Sequence, residues 1–485
     1  MQRLSQTIHP VVNRPIRIIQ FGEGNFLRAF VDWIVQRMNQ NGDFNGNVAV
    51  VQPLETGRVK DLSEQDGLYT LILNGVDQGK VIDHHEIIDV LSRFNNPYAD
   101  YAGFLELASI ETARFIVSNS TEAGIVFLDE EIGYETVPNS FPGKVLALLR
   151  RRYDNFNGAR DKGFVFFTCE LIDDNGSKLR EIVVELAKSN HLDAQFIEWI
   201  LTANVFCNTL VDRIVPGYPR DKAKEYTDAW GYEDTSMVKA EIFHLWVIEA
   251  GEEVKIEFPA DKAGLNVLFV PDHHPYKERK VKILNGAHTC MVPVAYLLGF
   301  DTVRESILDP LVRKFILGFL DDEVLPTIAL DKEEIRRFTE SVLERFENPF
   351  VRHELMSISL NSMTKYKTRI LPSIIELDRS GGFAAHAWFS LAALIVFYRG
   401  VRNDQKITVM DDERWLTYWK SQWQEIETDS NQVRNIVADF LSQKDHWECD
   451  IVSKAEVVDY VSTSVKDILE LGMLATMKKY FGDVE

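Results

Sequence analysis

The chain has 485 residues, 45% hydrophobic and 26% charged, a composition that predicts a globular protein of two or three domains. Its 53 basic and 74 acidic residues give a net charge of −21, which argues against nucleic-acid binding, since that needs a broad positive surface. No apolar run is long enough for a membrane span, and we expect no signal peptide. Four widely spaced cysteines form no CxxC pair and predict reduced thiols in a cytoplasmic protein: Cys169, Cys207, Cys290 and Cys449.

The first element is a short apolar strand, residues 18–21, which runs into Gly22-Glu23-Gly24. An amphipathic helix pattern follows at once. A strand, glycine turn and helix in this order present free backbone N–H groups to a pyrophosphate. The third glycine of the usual dinucleotide pattern would stand at position 27, which is Leu27, so these residues alone fit a plain tight turn equally well.

Strand and helix patterns then alternate along the first half of the chain. Further strands are predicted at 47–51, 69–73, 115–118 and 164–168, and helices at 142–152 and 179–189. Asn74-Gly75 after the strand at 69–73 suggests a hairpin turn. The rhythm predicts a parallel, doubly wound α/β sheet, in which ligands bind at the carboxyl ends of the strands. The polar residues after the strand at 115–118, Asn119 and Thr121 among them, are therefore candidate ligand contacts.

In the second half strand patterns fade and long amphipathic helices dominate. Helices are predicted at 305–320, 332–346, 383–398, 411–426 and 457–480. We expect a Rossmann-like N-terminal domain, residues 1–275, and a mostly α-helical C-terminal domain, residues 276–485.

Residues 279–299 contain three candidate catalytic side chains close together in sequence. Lys280, Asn285 and His288 are separated by five and three positions. In a helix, Asn285 and His288 share a face, and Lys280 lies about 80° round from His288. Gly286 would then let a ligand approach the backbone. The alternative is a hairpin, because Asn285-Gly286 is a common two-residue turn after an alternating strand. Spacing alone leaves both open.

Two further polar segments have plain structural explanations as well. Asn208, in residues 206–217, fits a turn or helix cap. Residues 360–373 form a basic stretch that fits a solvated loop. Local positive clusters matter in so acidic a chain, because an anionic substrate must find one. The two clusters are Lys277, Arg279, Lys280 and Lys282, and Lys365, Lys367 and Arg369.

Together these segments resemble the polyol-specific long-chain dehydrogenase (mannitol dehydrogenase) family, which includes the hexuronate reductases. The family's GxGxFxRA turn is matched by residues 22–29, its KxxxxNxxH signature by Lys280, Asn285 and His288, and its NxxVDRIxP segment by residues 208–216. Its KxxxxILP-like stretch is matched by residues 365–372. Several phrases are most similar to the hexuronate-reductase branch, with the fructuronate-reductase and mannitol branches as near alternatives.

The resemblance implies an NAD-dependent oxidoreductase acting on a small sugar acid, without a metal. It implies Lys280 as general acid–base, Asn208 and Asn285 as donors to the reacting oxygen, and His288 as the residue that orients the substrate. The residues it implies for the cofactor are Gly22, Gly24, Asn25, Phe26, Arg28, Asn119 and Thr121. Lys365 and Arg369 would pair with the substrate carboxylate.

Lys277 is a departure from the mannitol-type pattern, which has an acidic residue three positions before the catalytic lysine. A neighbouring cation favours the uncharged amine that a general base needs, and it favours an acid sugar as substrate. For the cofactor, Glu55 could reach a ribose, whereas Arg58 could meet a 2′-phosphate; the resemblance favours NAD.

Two other classes of enzyme compete with this interpretation. A metal-dependent hydrolase or isomerase could take ligands from His84-His85 and from Asp272, His273 and His274, although adjacent histidines on one strand point to opposite faces. An adenosylmethionine-type methyltransferase would use the same glycine turn, but it gives no reason for the lysine, asparagine and histidine trio.

Overall fold

The computed structural model describes residues 1–428, 432–451 and 454–482. The chain forms two compact units. The first consists of Met1–Gly75 and Val81–His273, and the second of Val76–Lys80 and His274–Glu485.

The first unit is an α/β structure built on strands and short helices. Its strands, which include the hairpin whose tip belongs to the second unit, are β1 (Gln2–Arg3), β2 (Ile16–Phe21), β3 (Asn47–Val51), β4 (Tyr69–Asp77), β5 (Lys80–Ile88), β6 (Leu91–Asn95), β7 (Phe115–Ser118), β8 (Val165–Thr168), β9 (Val205–Cys207), β10 (Thr209–Asp212), β11 (Tyr232–Glu233), β12 (Val238–Glu241), β13 (Leu245–Glu249) and β14 (Val267–Val270). Its helices are α1 (Asn25–Ala29), α2 (Val31–Asn41), α3 (Val59–Ser63), α4 (Tyr101–Leu105), α5 (Phe141–Asn155), α6 (Asn175–Ser189), α7 (Ala194–Ala203), α8 (Ala223–Trp230) and α9 (Glu252–Glu257).

Six of these strands form a parallel sheet in the order β6-β3-β2-β7-β8-β9. From β2 the chain adds β3 and β6 on one side of the sheet, and then β7, β8 and β9 on the other. This strand order is typical of dinucleotide-binding sheets, and the switch point lies between β2 and β7. Alternate residues of β2 enter opposite cores, because Ile18 packs in one apolar cluster and Ile19 and Phe21 in the other. The predicted doubly wound fold is confirmed.

The central sheet and the hairpin of the first unit each differ from the sequence prediction. β6 and β9 were missed, because three to five residues beside polar turns give a weak periodic signal. The hairpin after Tyr69 turns at Gln78-Gly79, and Asn74-Gly75 lies inside β4. Gly75 is needed there because a Cβ would come within 2.6 Å of Cγ2 of Ile242.

The second unit is mostly helical. Its α-helices are α10 (His274–Lys280), α11 (Gly286–Leu298), α12 (Val303–Leu308), α13 (Pro310–Gly318), α14 (Lys332–Phe346), α15 (Leu355–Ile358), α16 (Ser362–Arg369), α17 (Leu371–Arg379), α18 (Ala385–Phe397), α19 (Glu413–Thr428), α20 (Val433–Leu441), α21 (Lys444–Trp447), α22 (Ala455–Leu471) and α23 (Met473–Phe481). A two-stranded hairpin, β15 (Val401–Arg402) and β16 (Gln405–Lys406), lies among them.

Two predicted long helices are each broken in two. Asp309 accepts hydrogen bonds from the first N–H groups of α13, and Pro310 occupies its first turn, so α12 must end before them. Gly472 separates α22 from α23 at a backbone φ of +81°. Helix α14 has the predicted bounds.

Within the described part of the chain, the helical run His274–Leu298 alone is long and apolar enough to cross a membrane. However, 72% of its most apolar stretch is buried inside the protein. We infer that it is a core helix.

Candidate active site

The glycine turn lies at the switch point of the first unit, directly after β2. Gly22 has a φ of +124°, and a Cβ on it would stand 3.0 Å from Cδ1 of Leu27. Leu27, in the place of the usual third glycine, is thus packed over the turn. At Gly24, by contrast, a Cβ would meet no atom within 4 Å, and no side chain caps the helix that follows. The turn therefore offers open space beside the N–H groups of Asn25 and Phe26.

Arg28 lies beneath this turn and is fully engaged with the protein. Its Nε donates to the carbonyl of Glu23 at 3.0 Å, one terminal nitrogen donates to Oδ1 of Asn25 at 2.8 Å, and the other donates to the carbonyl of Ser236. The side chain is 2% exposed and stacks over Tyr69. Arg28 is thus placed to hold the turn in shape from below.

The loop after β7 forms the other side of the switch point. Asn119 Nδ2 donates to the carbonyl of Cys169 at 2.7 Å. The buried carboxylate of Glu170 accepts from the backbone N–H and the hydroxyl of Ser120, at 2.8 and 3.0 Å. Burial raises the pKa of Glu170, and the hydrogen bonds from Ser120 act in the opposite direction. Asn119, Ser120 and Thr121 line a cavity of about 490 Å³. Glu170 organises this loop, a role that the sequence analysis missed.

A larger cavity, of about 880 Å³, lies at the ends of β3 and β6. Gln52 lines this cavity and holds the loop after β3, because its Nε2 donates to the carbonyls of Leu54 and Glu55 at 2.9 and 3.1 Å. Glu55 itself lines the cavity. Arg58, the candidate for a 2′-phosphate, donates instead to Asp61 and to the carbonyl of Thr235, at 3.2 and 2.9 Å.

In the second unit, Lys280, Asn285 and His288 lie on one continuous helical run, so the hairpin alternative is wrong. The run contains a π-helical turn, Val281–Asn285, between α10 and α11. Three consecutive residues of that turn, 282–284, are buried, which excludes the two-residue period of a half-exposed strand.

The π-helical turn changes how the trio is arranged. In a regular α-helix, Lys280 and Asn285 would lie about 140° apart around the axis. A π-helical turn pairs residues five positions apart, so Lys280 and Asn285 come onto the same face, and His288 follows one α-helical turn later. Gly286 is buried against another helix: its Cβ would stand 3.4 Å from the carbonyl oxygen of Arg369, so the expectation that it admits a ligand is wrong.

His288 has an unusual environment for a histidine. Its ring stacks on Phe346 at 4.3 Å between centroids and meets His353 edge-on at 5.0 Å. Among the described residues, its buried Nε2 has no hydrogen-bond partner. Burial is the main reason that the pKa of His288 lies well below its ordinary value. Four neighbouring basic groups lower it further: His353, Arg345, Arg369 and Lys365. The imidazole is therefore neutral and can donate and accept a hydrogen bond. His353 and Arg345 were missed, since no sequence spacing links them to His288.

Several residues of the two basic clusters are already neutralised by acidic partners. Arg279 pairs with Glu334 at 2.5 Å, Lys282 with Glu278 at 2.5 Å, and Lys367 with Glu448 at 2.7 Å, each distance joining a nitrogen to a carboxylate oxygen. These three residues are paired within the protein, and Arg279 and Lys282 are buried rather than part of a solvated charged face.

Lys365 and Arg369 differ from those residues. Lys365 Nζ donates to the carbonyl of Ile358 at 2.8 Å, and a terminal nitrogen of Arg369 donates to Oγ1 of Thr289 at 3.4 Å. Within the described part of the chain, neither has a carboxylate within 4.0 Å. Burial comes first among the causes that lower the pKa of both side chains. These two partly buried cations lie beside a neutral imidazole and create a local positive potential in an acidic chain.

Asn208 lies in the first unit between β9 and β10. Its Oδ1 accepts from the backbone N–H of Ser177 at 2.9 Å, which secures the first turn of α6, as the capping alternative predicted. Its Nδ2 lies 3.5 Å from Oε1 of Glu249, a weak contact that leaves donor capacity.

The candidate metal ligands are partly brought together. Ligand atoms of Glu249, Asp272 and His273 lie within 4.8 Å of one another. Nδ1 of His273 is already hydrogen-bonded to the Glu249 carboxylate at 2.7 Å, which accounts for this contact without an ion. His84 and His85 lie on β5, where His85 stacks on Trp230 at 4.6 Å.

Two family models match the chain, one in each of its two units. The Mannitol dehydrogenase Rossmann domain model matches residues 16–260, and the Mannitol dehydrogenase C-terminal domain model matches residues 272–469. An altronate oxidoreductase of Escherichia coli is 44% identical over 475 residues, 98% of each chain. That of Yersinia enterocolitica is 42% identical over 482 residues, 99% of this chain and 100% of its own.

Solved structures show the same fold. A substrate-free D-sorbitol dehydrogenase superposes with a TM-score of 0.80 at 22% identity, covering 98% of this chain and 100% of its own. Mannitol 2-dehydrogenase of Pseudomonas fluorescens, in a ternary complex with NAD and D-mannitol, gives 0.62 at 21% identity, covering 99% and 96%. These findings confirm the resemblance drawn from the motifs and the predicted fold class. The chain belongs to the mannitol dehydrogenase family.

Proposed function

We propose that the protein is an NAD-dependent altronate oxidoreductase, which reversibly reduces D-tagaturonate to D-altronate in hexuronate catabolism. The observation that carries this function is the 44% identity to a curated altronate oxidoreductase over 98% of both chains. Residues 1–275 bind the cofactor and residues 276–485 supply most of the substrate site. A small-molecule reaction of this kind fits a cytoplasmic location.

The residues of the glycine turn fit a dinucleotide. The open space over Gly24 admits a pyrophosphate, and the N–H groups of Asn25 and Phe26 are available to it. Asn119 and Thr121, across the switch point, are placed for the nicotinamide half. Arg58 is held by Asp61 and Thr235, which favours NAD over NADP.

Bound NADH supplies the hydride for reduction of the keto group. Lys280 gives its ammonium proton to the carbonyl oxygen as that oxygen becomes a hydroxyl, and in the reverse direction the neutral amine takes the proton back. The side-chain N–H group of Asn285 donates to the oxygen while it carries negative charge, and such a donor is worth about 3–4 kcal/mol in comparable sites. Neutral His288 orients a substrate hydroxyl.

Lys365 and Arg369 hold the substrate carboxylate, since both are cationic and no carboxylate of the described residues lies within 4.0 Å of either. Lys277, one helical turn before Lys280, adds positive charge on the same helix. This charge pattern selects a sugar acid over a neutral polyol.

Oxidation of NADH in the presence of tagaturonate, fructuronate or fructose tests the substrate. We expect the highest kcat/KM for tagaturonate and the lowest for fructose. A higher value for fructuronate would reassign the substrate, and no turnover with any of the three would reject the function.

The cofactor site is tested separately by Gly24→Ala, with Gly133→Ala as the matched control. Both glycines have ordinary φ values, and a Cβ would meet nothing within 4 Å at either position, so both variants should fold. Only the methyl group at position 24 would stand in the way of a pyrophosphate. We expect weaker NADH binding for G24A alone, and equal NADH affinities of the two variants would refute this placement.

A further inference from the structure

A buried network of polar side chains lies under the glycine turn, and Asp32 on α2 is its centre. Asp32 is 0% exposed. The hydroxyl oxygen of Tyr69 lies 3.1 Å from Oδ2 of Asp32 and 2.7 Å from the backbone carbonyl of Arg28. A phenol has one hydrogen, and the shorter distance assigns it to the carbonyl. The second contact is then satisfied only if the Asp32 carboxyl group itself carries a proton and donates it to the phenol oxygen.

Two arms connect this centre with the turn. Through the first, Tyr69 holds the carbonyl of Arg28, whose guanidinium in turn donates to Glu23 and Asn25. Through the second, Gln20, whose side chain acts to lower the pKa of Asp32, donates from Nε2 to the carbonyl of Gly22 at 3.1 Å.

The surroundings favour an uncharged Asp32. Burial raises its pKa to about 7, while the contact with Tyr69, the charge of Arg28 and the nearby Gln20 side chain act in the opposite direction. Arg28 also faces the charges of Arg58 and Asp234. Among the described residues, Oδ1 of Asp32 is buried without a hydrogen-bond partner, so a carboxylate here would be a buried negative charge with one oxygen left unpaired.

We propose that Asp32 is a positioning residue for the dinucleotide and that it acts in its protonated form, donating to Tyr69 and so keeping Arg28 and the glycine turn in the shape that accepts a pyrophosphate. The proposal rests on the proposed function, because it assumes that the turn binds NAD. Loss of the proton places a negative charge beneath the turn, which opposes the binding of an anionic dinucleotide. NADH affinity should therefore fall as the pH rises through the titration of Asp32.

The test is NADH binding, followed by fluorescence, at pH values from 6 to 8.5. For the wild type we expect about a tenfold loss of affinity across this range, since linkage allows at most about tenfold per pH unit for one proton. Asp32→Asn, which has the shape of the protonated acid, should hold its affinity within about twofold. Asp161→Asn, at a side chain that is 76% exposed, is the control and should behave as the wild type.

A second measurement needs no cofactor. The folded state keeps a proton on Asp32 that the unfolded chain loses above about pH 4, so wild-type stability relative to Asp32→Asn should fall as pH rises from 4 to 7. A pH-independent difference in urea unfolding would overturn the protonated state. An NADH profile of Asp32→Asn that equals the wild-type profile would overturn the positioning role, whereas no NADH binding at any pH would overturn the proposed function.

Discussion

Replacement of Arg369 by methionine should remove most of the enzyme's preference for a sugar acid, tagaturonate, over a neutral sugar, fructose. Methionine keeps much of the side-chain length and removes the charge. The protein itself loses little, because among the described residues the guanidinium makes one hydrogen bond, a long one of 3.4 Å to Oγ1 of Thr289.

The size of the effect follows from the charge-assisted hydrogen bond that the substrate carboxylate loses. Such a bond is worth about 1.5–3 kcal/mol, which corresponds to about a 10- to 150-fold lower kcat/KM for tagaturonate. Fructose has no carboxylate, so its kcat/KM should change by less than about threefold.

The assay is the initial rate of NADH oxidation with each sugar. Lys367→Met is the matched control, since Lys367 lies on the same helix but is paired with the carboxylate of Glu448 at 2.7 Å. An exposed ion pair contributes only about 0–1 kcal/mol, so both sugars should react nearly as with the wild type. If Arg369→Met lowers both kcat/KM values equally, or if Lys367→Met has the same effect, the carboxylate site has been misplaced.

Three further predictions concern the chemistry, the selectivity and the fold. Lys280→Ala should lower kcat by about 10²–10⁴ and leave NADH affinity nearly unchanged; ordinary turnover would reject Lys280 as the acid–base group. Lys277→Glu should shift the ratio of kcat/KM from tagaturonate towards fructose, and an unchanged ratio would remove its role in selectivity. Glu323→Ala should destabilise the second unit by about 3 kcal/mol in urea unfolding, because buried N–H groups of His386 and Ala387 lose their acceptor; Glu323→Gln should lose less, and equal losses would contradict this reason.

The sequence was sufficient wherever a signal is local. The order of strands and helices, the glycine turn at residues 22–24 and the spacing of Lys280, Asn285 and His288 are all contained in short segments, because periodicity and turn chemistry act over a few residues. Most helix limits were also predicted closely, and they failed where one residue, such as Pro310 or Gly472, breaks an otherwise continuous apolar pattern.

Other features depend on residues that are distant in sequence. Nothing local distinguishes Lys365 from Lys367. Yet Lys365 donates to a backbone carbonyl and has no carboxylate partner in the described part of the chain, whereas Lys367 is paired with Glu448, 81 residues away. The choice of a π-helical turn over a hairpin at residues 281–285 likewise came from burial of three consecutive side chains.

What the sequence determined by itself is the family, the α/β order of the first unit and the spacing of the candidate reactive side chains. Only the tertiary structure decided which charged side chains remain available to a ligand and which are bound to partners within the protein. Arg28, Arg58 and Lys367 are of the second kind. The physical reason is that the electrostatic state of a side chain depends on burial and on partners within a few ångströms, and these are set by packing across the whole chain.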